Sequence, residues 1–342
     1  MSDRENETRN PMNLDEVPVV GAEKLASAVS YPEAIHAISA ALRTQVGAGD
    51  TPLRTRTEMS HGHLLYMPSQ VGDVVGIKLA SVSPGNPKLG LPRIQGLVAL
   101  YDSETLQPIL LADASGLTTL RTAAVSAVAV DNLAPCTAST LVVFGAGPQS
   151  RSHVSAISSV RPIRQVTVVG RSPEPTRSLV AELAASGLQA QAGTPEAVRS
   201  ADIVACCTSA TSPLFDSSEL KADATVVAIG SHSPQAREVD SALVERAYVV
   251  VESRASAFAE AGDVILACGE GVPRQHAVDA ELADIIREPH IGADRPRLFK
   301  GVGEAWADVA VAVAAARKLG LLDRPGVATH RRSDTVPAKG LS

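Results

Sequence analysis

LVVFGAGPQSRSHVSAI, residues 141–157, carries the strongest structural signal in the chain. Four apolar residues of strand length run into Gly145-Ala146-Gly147, and a helical pattern follows at once. In a Rossmann-type turn the first glycine permits the tight bend. The second lets the backbone approach a pyrophosphate, which rests at the positive N-terminus of the helix. Gly145, Ala146, Gly147, Pro148 and Gln149 are therefore candidate cofactor contacts. Ser150 stands where the fingerprint has its third glycine and is small enough for close packing of helix on strand. A Gly-x-Gly alone is weak, but the flanking strand, the helix and the next strand, QVTVV at 165–169, supply the context that the motif needs. The cofactor reading follows from that second strand. It ends VVGRSPEP, with no carboxylate before Glu174 to accept from a ribose 2′-hydroxyl. Arg171 and Ser172 suit a 2′-phosphate, which favours NADP(H) over NAD(H).

Outward from this turn, DIVACC (202–207), TVVAIG (225–230) and AYVVVES (247–253) are further apolar runs of strand length, several of them separated by helical stretches. Continuous apolar strands alternating with helices imply a parallel sheet covered on both faces, hence an α/β fold. The N-terminal side differs. VVGIKLASV (74–82), GLVALYD (96–102) and PILLAD (108–113) are strands bounded by Gly, Pro and Asp, and a long Ala- and Val-rich helix follows them. GEAWADVAVAVAAARKLGLL (303–322) reads as a last helix that packs back on this region. The expected organisation is a discontinuous α+β substrate and dimerisation domain over 15–130 and 306–325, and a Rossmann dinucleotide-binding domain over 131–305. Residues 1–14 and 326–342 are expected to be flexible ends.

Composition narrows the function. With 342 residues, 45% hydrophobic and 20% charged, the chain has ordinary globular usage, which excludes wholesale disorder. Aromatic residues are only 3% and the net charge is −6, so neither stacking on nucleic-acid bases nor adhesion to an anionic membrane is favoured. Cys136, Cys206, Cys207 and Cys268 show no zinc or disulfide spacing and read as reduced, buried thiols. No apolar run is long enough to span a bilayer and the first ten residues are polar, so the expected location is the cytoplasm. Arg121 lies in an apolar helix, where an unpaired charge is costly. That points to a bound anion or to an ion pair such as one with Asp113. Arg237 and Glu238 read as a structural pair, and Glu304 and Asp308 as i, i+4 neighbours on one helix face.

Seven segments follow one another in order: GIKLASVSPGN, GLPRIQGLVALYDSETLQPI, LTTLRTAAVSAVA, GAGPQS, VVAIGSHSPQAREVD, EAGDVI and LFKGVGEAWADVA. Together they resemble the ornithine cyclodeaminase/mu-crystallin family over roughly residues 50–320. The resemblance implies a homodimeric enzyme that moves a hydride between nicotinamide and the α-carbon of an imino acid. It places substrate-carboxylate arginines at Arg54 and Arg121 and a catalytic lysine at Lys78. An arginine binds such a carboxylate bidentately, and a lysine adds charge and a proton source beside the nitrogen. Cyclodeaminases of the family carry an Asp two residues past the glycine that here is Gly230. This chain has Gly230-Ser231-His232, as in its reductase-like members. Gly230 and Ser231 are expected at the cofactor, and His232 as a proton shuttle or a cleft-lining residue. Lys300 and Gly301 are expected at the cofactor, and Asp308 and Asp263 at the cleft; no metal is expected. The implied activity is NADPH-dependent reduction of a small cyclic imino acid. Cyclodeamination, amino acid dehydrogenation and non-catalytic ligand binding are the alternatives.

Overall fold

The computed structural model describes residues 14–44, 52–288 and 295–322. Of the expected flexible ends, residues 1–13 and 326–342 lie outside the described residues. Two sheets organise the chain. The first contains β1 (Val19–Val20), β2 (Thr55–Met59), β3 (Gly62–Val71), β4 (Val74–Val82), β5 (Ile94–Asp102) and β6 (Pro108–Asp113), in the order β1-β6-β5-β4-β3-β2. Only the β1–β6 pairing in it is parallel. Along β4 every second residue is buried and the others are half-buried, as a period of two on a one-sided sheet requires. Gly76, Lys78 and Ala80 therefore face inward, and Ile77 and Leu79 face the other side. α1 (Ala22–Ala28) and α2 (Tyr31–Thr44) precede β2, and α3 (Ala114–Leu133) leaves β6 directly.

The second sheet is parallel throughout. It contains β7 (Thr140–Phe144), β8 (Gln165–Val169), β9 (Gln189–Ala192), β10 (Ile203–Cys206), β11 (Thr225–Ala228), β12 (Tyr248–Val251), β13 (Ala280–Glu281) and β14 (Arg297–Lys300). Their spatial order is β13-β12-β14-β11-β10-β7-β8-β9. From β7 the chain runs first to β8 and β9 on one side and then crosses to β10 on the other. The order thus reverses between β7 and β10, where open α/β sheets bind ligands. α4 (Pro148–Ser158) and α5 (Pro173–Ala185) are its first crossovers. α6 (Ser241–Arg246), α7 (Arg254–Glu260), α8 (Gly262–Gly269) and α9 (Leu282–Arg287) follow. α10 (Ala305–Lys318) then returns to pack on β3, β4 and α2 of the first sheet.

α3 joins the two halves. It is apolar on nearly every side, as a helix enclosed by protein must be, and it packs on both α2 and α4. Its start is capped by Asp113, whose carboxylate accepts the Ser115 N–H at 2.8 Å. Asp113 is thus not the partner of Arg121. Glu304 stands at the N-cap of α10, after the turn at Gly303 with φ 89°, so it does not share a helical face with Asp308. All four cysteines are free, but only Cys206 is fully buried, and Cys136 is exposed on the connection after α3.

His153 on α4 bridges to α3. Its Nε2 meets Ser126 Oγ at 2.9 Å and its Nδ1 meets the Gln149 carbonyl at 2.8 Å. Burial holds this imidazole down to about 4 from an ordinary 6.5. The unfolded chain therefore takes up a proton between those values that the folded chain refuses. Stability from this site is complete above about pH 6.5 and declines as the pH falls toward about 4. From about pH 7 to about pH 5 the loss is about 2 kcal/mol. Urea unfolding of H153Q should show a correspondingly flatter dependence over that range than the parent protein.

Candidate active site

The crevice at the sheet's reversal is a groove of about 790 Å³. Its walls are the Gly145–Gly147 turn after β7, Gly170–Ser172 after β8, Gly193–Pro195 after β9 and Cys207–Ala210 after β10. Gly145 has φ 103°, and an added Cβ would lie 2.6 Å from the Cys207 carbonyl oxygen, so this turn needs glycine. At Gly147 an added Cβ would meet nothing within 4 Å, which leaves the backbone open to a ligand at the N-terminus of α4. The Gln149 Oε1 atom is buried without a hydrogen-bond partner. The open backbone at Gly147 and the groove at the switch point fit a dinucleotide.

The groove meets a second cavity of about 240 Å³ at Cys207 and Thr208, which border both. This cavity lies between the inner face of the first sheet, α3 and the carboxyl ends of the second sheet. The inner face supplies His63, Leu65 and Met67 from β3, and Lys78, Ala80 and Val82 from β4. α3 supplies Arg121 and Val125. At one end the cations gather round a buried acid. Lys78 Nζ donates to Asp308 Oδ1 at 3.1 Å, and Arg121 Nε donates to the same oxygen at 2.9 Å. Burial and the neighbouring guanidiniums lower Lys78 to about 8, although Asp308 acts the other way. Asp308 takes a single donor from each of the two cations, so both keep N–H groups for a further acceptor in a low-dielectric site, as recognition of an anion requires. Gly303 presses against Arg121. A Cβ there would lie 2.8 Å from Nη1 and Nη2.

The model of the ornithine cyclodeaminase/mu-crystallin family matches residues 18–318. The chain belongs to that family. It is 34% identical over 323 residues to the Δ1-pyrroline-2-carboxylate reductase of Bacillus cereus, covering 90% of this chain and 93% of that protein. Among solved structures, Thermococcus litoralis Δ1-pyrroline-2-carboxylate reductase with NADH and L-proline superposes with a TM-score of 0.83 at 30% identity, over 88% of this chain and 96% of that one. An archaeal alanine dehydrogenase dimer with bound NAD gives 0.85 at 26% identity, over 90% and 97%.

Of the expected site residues, the fold brings Lys78, Arg121, Arg54, His232, Gly230, Gly301 and Gln149 to the inner cavity, and Arg171 and Ser172 to the groove with the glycine turn. Arg54 reaches the cavity from just before β2, but its fork is largely occupied. Its Nε donates to Glu260 Oε1 at 2.9 Å and its Nη1 to the Val302 carbonyl at 3.2 Å. His232 sits at the wall with Nδ1 at 3.2 Å from the Gly230 carbonyl. His232 is exposed at this wall, and desolvation by the surrounding protein together with the Arg54 charge lowers its pKa, which favours the neutral imidazole. Asp308 is buried beneath the cations and acts through them.

Other expectations are corrected. Lys300 lies at the end of an interior strand. Its amine is buried, pairs with Asp263 at 3.1 Å and donates to the Ser231 carbonyl at 2.7 Å, so it lines neither space. Asp263 is turned the same way. Ser231 is buried with its hydroxyl on the Ala236 carbonyl, and Pro148 sits exposed outside both spaces. Arg237 pairs with Glu270 at 2.9 Å rather than with Glu238.

Several site residues were missed. Thr208 and Glu252 both lie just past strand ends inside apolar runs, and the switch-point rule would have flagged them. Glu252 Oε2 accepts the Val302 and Gly303 N–H groups at 2.8 and 2.7 Å, which shapes the turn against Arg121. Glu304 is held up to about 7 by burial and by the Glu252 charge.

Removing the central acid should be severe. D308N leaves two buried cations without their counterion, and an unfolding free energy lower by about 3–5 kcal/mol is expected from chemical denaturation.

Proposed function

We propose that this chain is an NAD(P)-dependent oxidoreductase that uses NADPH to reduce a small cyclic imino acid, such as Δ1-pyrroline-2-carboxylate or Δ1-piperideine-2-carboxylate, to the amino acid. The observation that carries the reading is the cavity itself. Lys78 and Arg121 form a cationic end, Leu65, Met67, Ala80, Val82 and Val125 form an apolar wall, and Cys207 and Thr208 open it to the dinucleotide groove. The substrate carboxylate binds at the cationic end, and its ring lies on the apolar wall with the C=N carbon toward the nicotinamide end. A bound nicotinamide supplies the hydride. The protein's own tasks are to hold the anion, to exclude water and to provide the proton that the ring nitrogen gains. With a pKa near 8, Lys78 is largely protonated at neutral pH and serves as that donor. The names of the similar reductases support this assignment.

The residues at the cavity speak against the cyclodeaminase alternative. Lys78, Arg54 and Arg121 line the cavity, and its one carboxylate among the described residues, Glu252, is engaged by backbone N–H groups. His232 stands where cyclodeaminases carry an Asp, so the carboxylate base suited to that reaction has no counterpart there. For the cofactor, no Asp or Glu lines the groove among the described residues, while Arg171 and Ser172 do. Arg177 is taken by Glu174 at 2.5 Å. This supports a 2′-phosphate rather than a free 2′-hydroxyl. The chain acts as a homodimer. On the outer face of the first sheet Tyr66, Leu79 and Leu97 align across three strands, with Leu97 40% exposed.

The test is a panel of cyclic imino acids, 2-oxo acids with amines, and free amino acids, run with both cofactors. Turnover of a cyclic imino acid with NADPH is expected; turnover confined to diamino acids with ammonia release would refute the proposal. K78M and R121L should each lower kcat/KM by about 10²-fold or more. The rate should fall as the pH rises through about 8, where Lys78 deprotonates. R171A should weaken NADPH by about tenfold and leave NADH nearly unchanged. Light scattering should give a dimer mass, with L97E shifting it toward the monomer.

A further inference from the structure

Beneath the cavity lies a buried carboxylate that receives three donors from two loops. Glu238 Oε1 accepts the Thr208 N–H at 2.8 Å and the Thr208 hydroxyl at 2.7 Å, and Oε2 accepts the Gly230 N–H at 2.6 Å. Thr208 follows β10 and Gly230 follows β11, and both line the catalytic cavity. Thr208 also borders the dinucleotide groove. The fit is close: an added Cβ at Gly230 would lie 1.9 Å from the Thr208 carbonyl oxygen and 2.5 Å from Glu238 Oε1. Glu238 is itself anchored from below. Its N–H donates to Asp263 Oδ1 at 2.7 Å, Asp263 pairs with Lys300, and Lys300 holds the Ser231 carbonyl. Glu238, Asp263 and Lys300 are each 1% exposed or less. The chain of contacts closes on the same loop from which it started.

We infer that Glu238 is a positioning residue whose carboxylate staples the Thr208 and Gly230 loops in the arrangement that receives the nicotinamide end of the cofactor. The inference rests on the dinucleotide-dependent reading above. A carboxylate is required because both of its oxygens accept. A glutamine has one acceptor oxygen, and its NH₂ would confront an N–H or O–H donor whichever way it turned. The neighbouring loops would then separate to relieve the unsatisfied contact, and buried polar networks lose most when partly satisfied. Stapled loops set the distance between the reacting centres, where small displacements are costly.

The experiment compares two ligands by titration: NADPH, and 2′-phospho-ADP-ribose, which lacks the nicotinamide. E238Q should bind NADPH about tenfold more weakly and the fragment within about twofold of the parent. With Δ1-pyrroline-2-carboxylate its kcat should fall, and the primary isotope effect from 4-deuterated NADPH should rise. Unchanged NADPH affinity in folded E238Q overturns the inference, as does an equal loss for both ligands, which a merely structural role would produce. If E238Q does not fold, T208V removes the hydroxyl that donates to Glu238 and accepts the Ala210 N–H at 3.1 Å, and it leaves the Thr208 and Gly230 N–H groups on the carboxylate. It should weaken NADPH about threefold and spare the fragment, and parent-like or equal losses overturn the inference in the same way. A parent protein that binds both ligands but reduces no imino acid defeats the proposed reaction, while the titrations still decide the staple. A parent that binds neither ligand defeats the dinucleotide reading and the staple together.

Discussion

A carboxylate closed off from water between an ammonium and a guanidinium is the constraint on which this molecule turns. Asp308 on α10 meets Lys78 on β4 and Arg121 on α3 through one oxygen. None of the three charges is tolerable in the interior without the others. The pairing therefore ties the last described helix to the first sheet and to the helix that leaves it. Asp308 takes only one donor from each cation, so Lys78 and Arg121 keep N–H groups at the cavity. The same burial that makes the charges costly brings Lys78 down to about 8, close enough to neutrality for its proton to be usable. Folding and the proposed anion recognition thus draw on the same three side chains.

The second sheet contributes a meeting of strand ends rather than a set of charges. At the reversal between β7 and β10 the chain needs close backbone approach. Gly145 and Gly230 supply it where any side chain would strike the carbonyl of Cys207 or Thr208. α3 connects this end with the other. It carries Arg121 to Asp308 at the cavity and Ser126 to His153 on α4, within one continuous buried helix. Displacement of α3 would be felt at both the substrate and the cofactor ends, because a close-packed interior transmits strain.

Much of this was visible in the residues because the signals are local. The glycine turn with its flanking strand and helix and the missing carboxylate after β8 are each written within a dozen neighbouring positions. Arg121 announced that it needed a partner, since a charge in an apolar helix demands one. Its partner was the distant Asp308, whereas the nearer Asp113 was spent on capping the helix. Lys300 and Asp263 were misread for a related reason. Both were expected near the cofactor or the cleft, but their strand and helix turn them beneath it.

The sequence by itself determined the element types, the parallel character of the second sheet and the dinucleotide turn. Periodicity, chain stiffness and the unique freedom of glycine act over short separations and do not wait for the rest of the fold. Tertiary structure alone decided which charges pair and which are left to meet a ligand. Electrostatic energy depends on burial and on distances between residues far apart in the chain, and neither quantity exists until the two sheets have closed on α3 and α10.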